Sequence, residues 1–162
     1  MYIVVGLGNP GEEYTHTRHN TGRMAVDFLR DKVSGIKVVT PNTYMNESGR
    51  AIAKVIKSKK AAQKLIVVYD DLDLPLGTLK ISYDRSSGGH KGLESIIRAL
   101  KTKEFVRVRI GIGKKGDVEK YILSEFKKAE LETLKKVFPK VSQAVETIVV
   151  HGTELAMNKF NS

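Results

Sequence analysis

The chain has 162 residues, 28 Lys plus Arg against 18 Asp plus Glu, a formal net charge of +10, and no Cys. That length carries one hydrophobic core without staples. The 41% apolar share excludes disorder, and the lack of thiols excludes a disulfide framework, a cysteine nucleophile or a thiolate metal centre.

Along the chain, Tyr2-Ile3-Val4-Val5 is a short apolar run ending at Gly6. No basic segment precedes it, so no signal peptide is expected, and no apolar run approaches the roughly 20 residues of a membrane span. Met24, Ala25, Phe28 and Leu29 keep helical spacing after Asn20-Thr21, either of which can cap. Lys37-Val38-Val39 reads as a strand, and Ser48 can cap a helix carrying Ile52, Val55 and Ile56. Leu65 to Tyr69 is a second all-apolar run, ending at Asp70. Continuous β-branched runs of this length predict strands buried on both faces, with helices covering the sheet.

Two later strands alternate. Leu79, Ile81 and Tyr83 alternate with Thr78, Lys80 and Ser82, and Val106, Val108, Ile110 and Ile112 with Arg107, Arg109, Gly111 and Gly113. That period predicts one core face and one solvent face, which gathers Lys80, Arg107 and Arg109 into a basic patch. Between these strands, Leu93, Ile96, Ile97 and Leu100 mark a helix just after Gly88-Gly89. From about Ser124 the tail reads as two or three amphipathic helices broken at Pro139 and Gly152. The expected fold is α/β, a single domain over residues 1–162, with a mixed twisted β-sheet sandwiched between α-helices.

The net charge points to a polyanion such as nucleic acid, or to nothing more than a Lys-rich solvated surface. Gly6-Leu7-Gly8-Asn9-Pro10-Gly11 matches the dinucleotide-binding pattern G-x-G-x-x-G. That motif needs a helix whose N–H groups meet the pyrophosphate, whereas Pro10 favours a turn and the following residues lack an apolar stripe. The glycines are better read as letting the backbone double back to present Asn9. His16 and His19 are three apart and could bind a metal with Asp70, Asp71 or Asp73, but no other His pair has ligand spacing. Alternatively one His acts as a general base, since an unperturbed pKa of ~6.5 suits that role, or it is a capping or surface residue. Asp70 follows a buried strand, where a carboxylate could orient a His or merely cap the turn before Pro75. Two loops, Pro41 to Asn46 and Ser86 to Gly92, lead into helices and could present amides or backbone N–H groups. No Walker-type loop or G-x-S-x-G elbow is present.

Taken together, six stretches in order resemble the bacterial-type peptidyl-tRNA hydrolase family. They are Val5 to Gly11 with Tyr14, Thr17 to Gly22, Pro41 to Asn46 with Ser48-Gly49, Asp70 to Gly77, Gly88-Gly89-His90 with Gly92-Leu93, and Arg107 to Gly113. The resemblance implies a hydrolase that cleaves the ester joining a peptide to the 3′ ribose of tRNA and so recycles peptidyl-tRNA in translation. It makes His19 the base that activates water, Asp70 the acid that orients it, and Asn9 and Asn46 the amides that position substrate. Tyr14, Tyr44 and Met45 become a wall for the terminal nucleotide and peptide, with Lys80, Lys91 and Arg109 toward tRNA. It also implies no cofactor and no metal, a tRNA partner, no membrane, a cytoplasmic location and a monomer. The sequence departs from the family at Lys91, where an Asn is usual, and by a segment missing around 32–37. A non-catalytic RNA-binding relative of the same fold is the alternative, and a nucleotide-dependent oxidoreductase the remote one.

Overall fold

The apolar runs become strands β1 (Tyr2–Gly6), β2 (Ile36–Val39), β3 (Leu65–Asp71), β4 (Leu79–Tyr83) and β5 (Val106–Gly111). They form one sheet in the order β2-β1-β3-β5-β4, and the computed structural model describes residues 1–161. The first three pairings are parallel, with Val4 opposite both Val38 and Ile66 and Val68 opposite Val108. Only β4 runs antiparallel, placing Lys80 opposite Arg109.

Among the described residues seven α-helices cover the sheet: α1 (Thr21–Leu29), α2 (Ser48–Ala53), α3 (Lys59–Ala62), α4 (Lys91–Leu100), α5 (Val118–Leu123), α6 (Lys128–His151) and α7 (Thr153–Phe160). On one face Val4, Ile66, Val68, Val108 and Ile110 pack with Ala25 and Leu29 of α1, Val141 and Ile148 of α6, and Ala156 of α7. The other face packs Val5, Val67 and Tyr69 against Ile52 of α2 and Leu93 and Ile96 of α4. Successive strand residues point to opposite faces, so a strand covered on both is mostly apolar, as β1 is up to Gly6 and β3 is from Leu65 to Tyr69. The mixed α/β sandwich expected from sequence is the observed fold. Among the described residues, no helix is long and apolar enough to cross a membrane.

Three expectations need correction. Arg107 and Arg109 do not face solvent: Arg107 is 0% exposed and Arg109 is buried. β5 lies inside the sheet, and the segment between β4 and α4 runs back over it. Arg107 donates to the Ser86 carbonyl at 3.2 Å and to that of Arg85, and its guanidinium lies 4.2 Å from the Phe105 ring centroid. The alternation in β5 therefore marks apolar and polar faces that are both covered. Secondly, Pro139 does not break the tail, because α6 runs through it. Its neighbours Val137, Phe138 and Val141 are buried, while Pro139 and Lys135 face solvent, so the carbonyl left unbonded four residues back can be hydrated. Gly152 does separate α6 from α7. Thirdly, neither Asn20 nor Ser48 caps its helix by side chain. Ser48 Oγ donates to the Met45 carbonyl at 2.7 Å, and Asn20 turns to the loop of Asn9.

Candidate active site

Parallel strands bring the ends of β1, β3 and β5 to one edge of the sheet, and the loops leaving β1, β2 and β3 gather there. After Gly6 the chain doubles back through Gly11, whose φ of +107° suits glycine. It then makes a tight 3-10 turn at Arg18–Asn20 directly before α1. That turn holds His19, which is buried. Its Nδ1 donates at 2.7 Å to Oδ2 of Asp70, the penultimate residue of β3. The other carboxylate oxygen, Oδ1, accepts from Nε2 of His90 at 3.0 Å.

His90 is the N-cap of α4. Its Nδ1 accepts from the N–H groups of Gly92 (3.1 Å) and Leu93 (3.4 Å), so its ring hydrogen belongs on Nε2, toward Asp70. One buried carboxylate thus receives an N–H from each of two imidazoles. Burial alone would raise the Asp70 pKa, but the charges and hydrogen bonds of His19 and His90 hold it well below the ordinary carboxylate range. Burial likewise pulls the His19 pKa down, and the charge and hydrogen bond of Asp70 outweigh it, leaving it above its ordinary value. Beside His90 lies the Tyr69 ring, 5.1 Å between centroids, its hydroxyl pushed up to about 12 by burial despite the opposing Arg107 and Arg109 charges.

Ligand atoms of His19, Asp70 and His90 lie within 4.8 Å of one another, a spacing a metal ion could use. The hydrogen bonds fill it differently: both nitrogens facing Asp70 donate to it, and the second nitrogen of His90 caps a helix. Only His19 Nε2 is left as a base or ligand, which fits an oriented imidazole better than a metal cage.

A second wall adjoins this triad. Asn9 is buried, and its backbone pairs twice with the Asn20 side chain (2.8 and 3.0 Å). Asn9 Oδ1 accepts from Met45 N–H at 2.7 Å, which fixes the amide's orientation and leaves its NH2 group free to donate. Met45 is buried next to Gly92, where an added Cβ would lie 2.6 Å from Met45 Sδ and 3.0 Å from the His90 ring. The side chains of Leu7, Met45 and His90 therefore meet at Gly92, joining the Asn9 wall to the triad. Tyr14 and Tyr44 meet edge to face at 6.4 Å, and Tyr44 and Asn46 are exposed.

A cavity of about 400 Å³ opens at His19, Asp70 and His90, lined also by Asp71, Arg85, Lys91, Arg109 and Lys114 and by Val118 and Ile122 of α5. Arg109 enters it already paired, donating through Nε to Asp71 at 2.8 Å and through Nη1 to Ser82 at 3.0 Å. Lys91 and Lys80 are exposed, Lys80 out on edge strand β4. His16 is exposed and takes no part in the triad. Sequence reasoning assigned no role to His90 or to Arg18. Arg18 is buried beside His19 and ties its turn to the α5–α6 junction through Ser124 (3.0 Å), Glu130 (2.7 Å) and the Tyr121 ring. The available signal for His90 was its place just before a helical stripe and after two glycines, which is an N-cap position.

Residues 3–162 match the model of a family described as peptidyl-tRNA hydrolase. The peptidyl-tRNA hydrolase of Thermodesulfovibrio yellowstonii is 44% identical over 188 residues, spanning 99% of each chain. That of Alkaliphilus oremlandii is 41% identical over 184 residues, spanning 99% of this chain and 100% of its own. A crystal structure of peptidyl-tRNA hydrolase from Acinetobacter baumannii matches with a TM-score of 0.91 at 29% identity, covering 100% of this chain and 95% of that one.

Proposed function

The chain belongs to the peptidyl-tRNA hydrolase family and hydrolyses the ester between peptide and tRNA, and on that premise we propose how its residues divide the work. His19 is the general base. With Nδ1–H committed to Asp70, its Nε2 takes a proton from a water as the water oxygen attacks the ester carbonyl carbon. The NH2 of Asn9, with Asn46, binds the developing oxyanion and the peptide amide. Collapse of the tetrahedral intermediate breaks the bond to the ribose oxygen, which recovers the proton from His19, releasing tRNA and a peptide carboxylic acid that gives its remaining proton to solvent. The observation that carries this reading is the buried 2.7 Å contact between His19 and Asp70 beside an open cavity.

Tyr14, Tyr44 and Met45 form the wall for the terminal nucleotide and peptide. Lys80 and Lys91 contact tRNA phosphates, with Arg109 beneath them; its charge is matched by Asp71, so the exposed lysines carry most of the attraction. We place the family segment that is missing around 32–37 in the turn between α1 and β2. In support of a segment being absent from this chain, the T. yellowstonii match spans 188 residues against 162 here. The same reading has the enzyme working in the cytoplasm as a monomer, without metal or cofactor.

The test uses an N-blocked aminoacyl-tRNA and its unblocked counterpart. The protein should release the blocked amino acid and spare the free one, and His19→Ala should lower turnover by about 10²-fold or more. Undiminished turnover in that variant would remove His19 as the base, while tRNA binding with no turnover in the parent would favour a non-catalytic relative.

A further inference from the structure

Arg23 stands in the first turn of α1, outside every group assigned so far. Its backbone N–H donates to the Leu7 carbonyl at 3.1 Å, which seats the side chain against the doubled-back turn. From there Nη1 donates to the carbonyl of Asn9 at 3.3 Å. Nη2 donates to that of Gly8 at 3.4 Å and to that of Pro41. Gly8 permits the approach, since a Cβ there would lie 3.1 Å from Arg23 Cβ and 3.0 Å from Asn20 Cγ. Among the described residues Arg23 has no carboxylate ion pair, and its Nε is buried without a partner. Its charge is thus spent on three backbone carbonyls from two loops.

Those two loops carry the substrate-facing amides. One presents Asn9, and the other begins at Pro41 and delivers Met45 and Asn46. They meet directly in one side-chain bond, Asn9 Oδ1 with Met45 N–H. Asn20 holds the Asn9 loop alone, whereas Arg23 holds both. A planar fork with several fixed donors can bridge carbonyls on separate segments, which a lysine ammonium does less well.

We infer that Arg23 is a positioning residue for peptide recognition, stitching the Asn9 turn to the Pro41–Asn46 loop so that their amides keep a fixed spacing. It touches neither His19 nor Asp70 in any hydrogen bond, so its effect falls on substrate binding and not on the base. The inference rests on Asn9 being the amide that sorts N-blocked from free aminoacyl-tRNA.

The experiment compares Arg23→Met, Arg23→Lys and Asn9→Ala with the parent, by kinetics and by amide hydrogen exchange. Arg23→Met should raise KM for N-blocked aminoacyl-tRNA about tenfold, the scale of losing hydrogen bonds from a charged donor. It should also narrow the preference over the free form, and leave the pH dependence of kcat in place. Met45 N–H should exchange faster while Val67 and Val68 in β3 keep their protection, and Arg23→Lys should fall between. Unchanged Met45 exchange overturns the stitching role, whatever the kinetics. Faster exchange throughout β3 in both variants overturns it too, since Arg23 then supports the whole fold. If Asn9→Ala keeps the preference for the blocked substrate, the Asn9 reading fails, and Met45 exchange still decides the stitch.

Discussion

Asp70 stands between two imidazoles that differ in what their far nitrogens do. His90 spends Nδ1 on the N–H groups of α4, so it can approach Asp70 only as an Nε2–H donor. That leaves Oδ2 for His19, and a carboxylate held from one side accepts Nδ1–H from the other. His19 is thereby kept in the tautomer with Nε2 free. Because the charge of Asp70 lifts the His19 pKa above its ordinary value against the pull of burial, the neutral base forms only at higher pH. The rising limb of kcat/KM against pH should lie above ~6.5. Asp70→Asn removes the charge, so the limb should move to lower pH while the plateau falls; a limb that stayed put would show that another group titrates. For stability the signs are opposite. The Asp70 contribution is complete above its unfolded pKa and is lost as pH falls through the depressed folded value. The His19 contribution is complete below its unfolded value and is lost as pH rises through the raised one. The residues alone offered Asp70 as a carboxylate that could orient a His, and the family's motifs singled out His19 as that His. His90 stood at a readable N-cap position, but nothing in Gly88-Gly89-His90 says that this helix starts beside the end of β3.

At the scale of elements, the site depends on how closely α1 lies on the sheet. A Cβ at Gly22 would sit 2.1 Å from the Val68 carbonyl oxygen and 2.9 Å from the Leu7 nitrogen. Both are backbone atoms in or beside β3 and β1, so neither can swing away. Gly22→Ala must therefore lift α1, and with it the 3-10 turn that sets His19 against Asp70. It should cost about 3 kcal/mol or more in urea unfolding and lower kcat in whatever folds; an unchanged midpoint would show that α1 does not depend on this close approach. The strands that α1 covers were readable, because β1 and β3 bury both faces and so contain almost nothing polar. β5 misled because its arginines obey a two-residue period, which reports chemistry on each face and not what covers it. Arg107 could be recognised as interior only after the β4–α4 segment was seen lying over it, its carbonyls supplying the acceptors a buried guanidinium requires. Pro139 misled for a related reason: the helix rule is local, and burial along the rest of α6 overrides it.

For the molecule as a whole, the +10 charge is spread over both edges of the sheet, and only one edge carries the site. β3 runs from Leu65 to Asp71, so Lys57, Lys59 and Lys60, which precede it, lie at the edge away from Asp70. Lys80 and Lys91 are exposed on the segments that flank the cavity, the positions proposed above for tRNA phosphates. Each phosphate neutralised releases counterions, so log kcat/KM should fall linearly with log salt, by about 0.7 for every contact with single-stranded RNA and about 0.9 for a duplex. Below saturation the measurement compares the parent with a Lys80→Ala, Lys91→Ala double variant and with Lys57→Ala, Lys59→Ala, Lys60→Ala. The first should lose roughly 1.4 to 1.8 from the slope, and the second should keep the parent's slope. An N-blocked aminoacyl ester without the tRNA body should show almost no salt dependence in any of the three. If the distal lysines set the slope instead, the RNA lies across the far edge, and the cations at the cavity serve the site's own carboxylates.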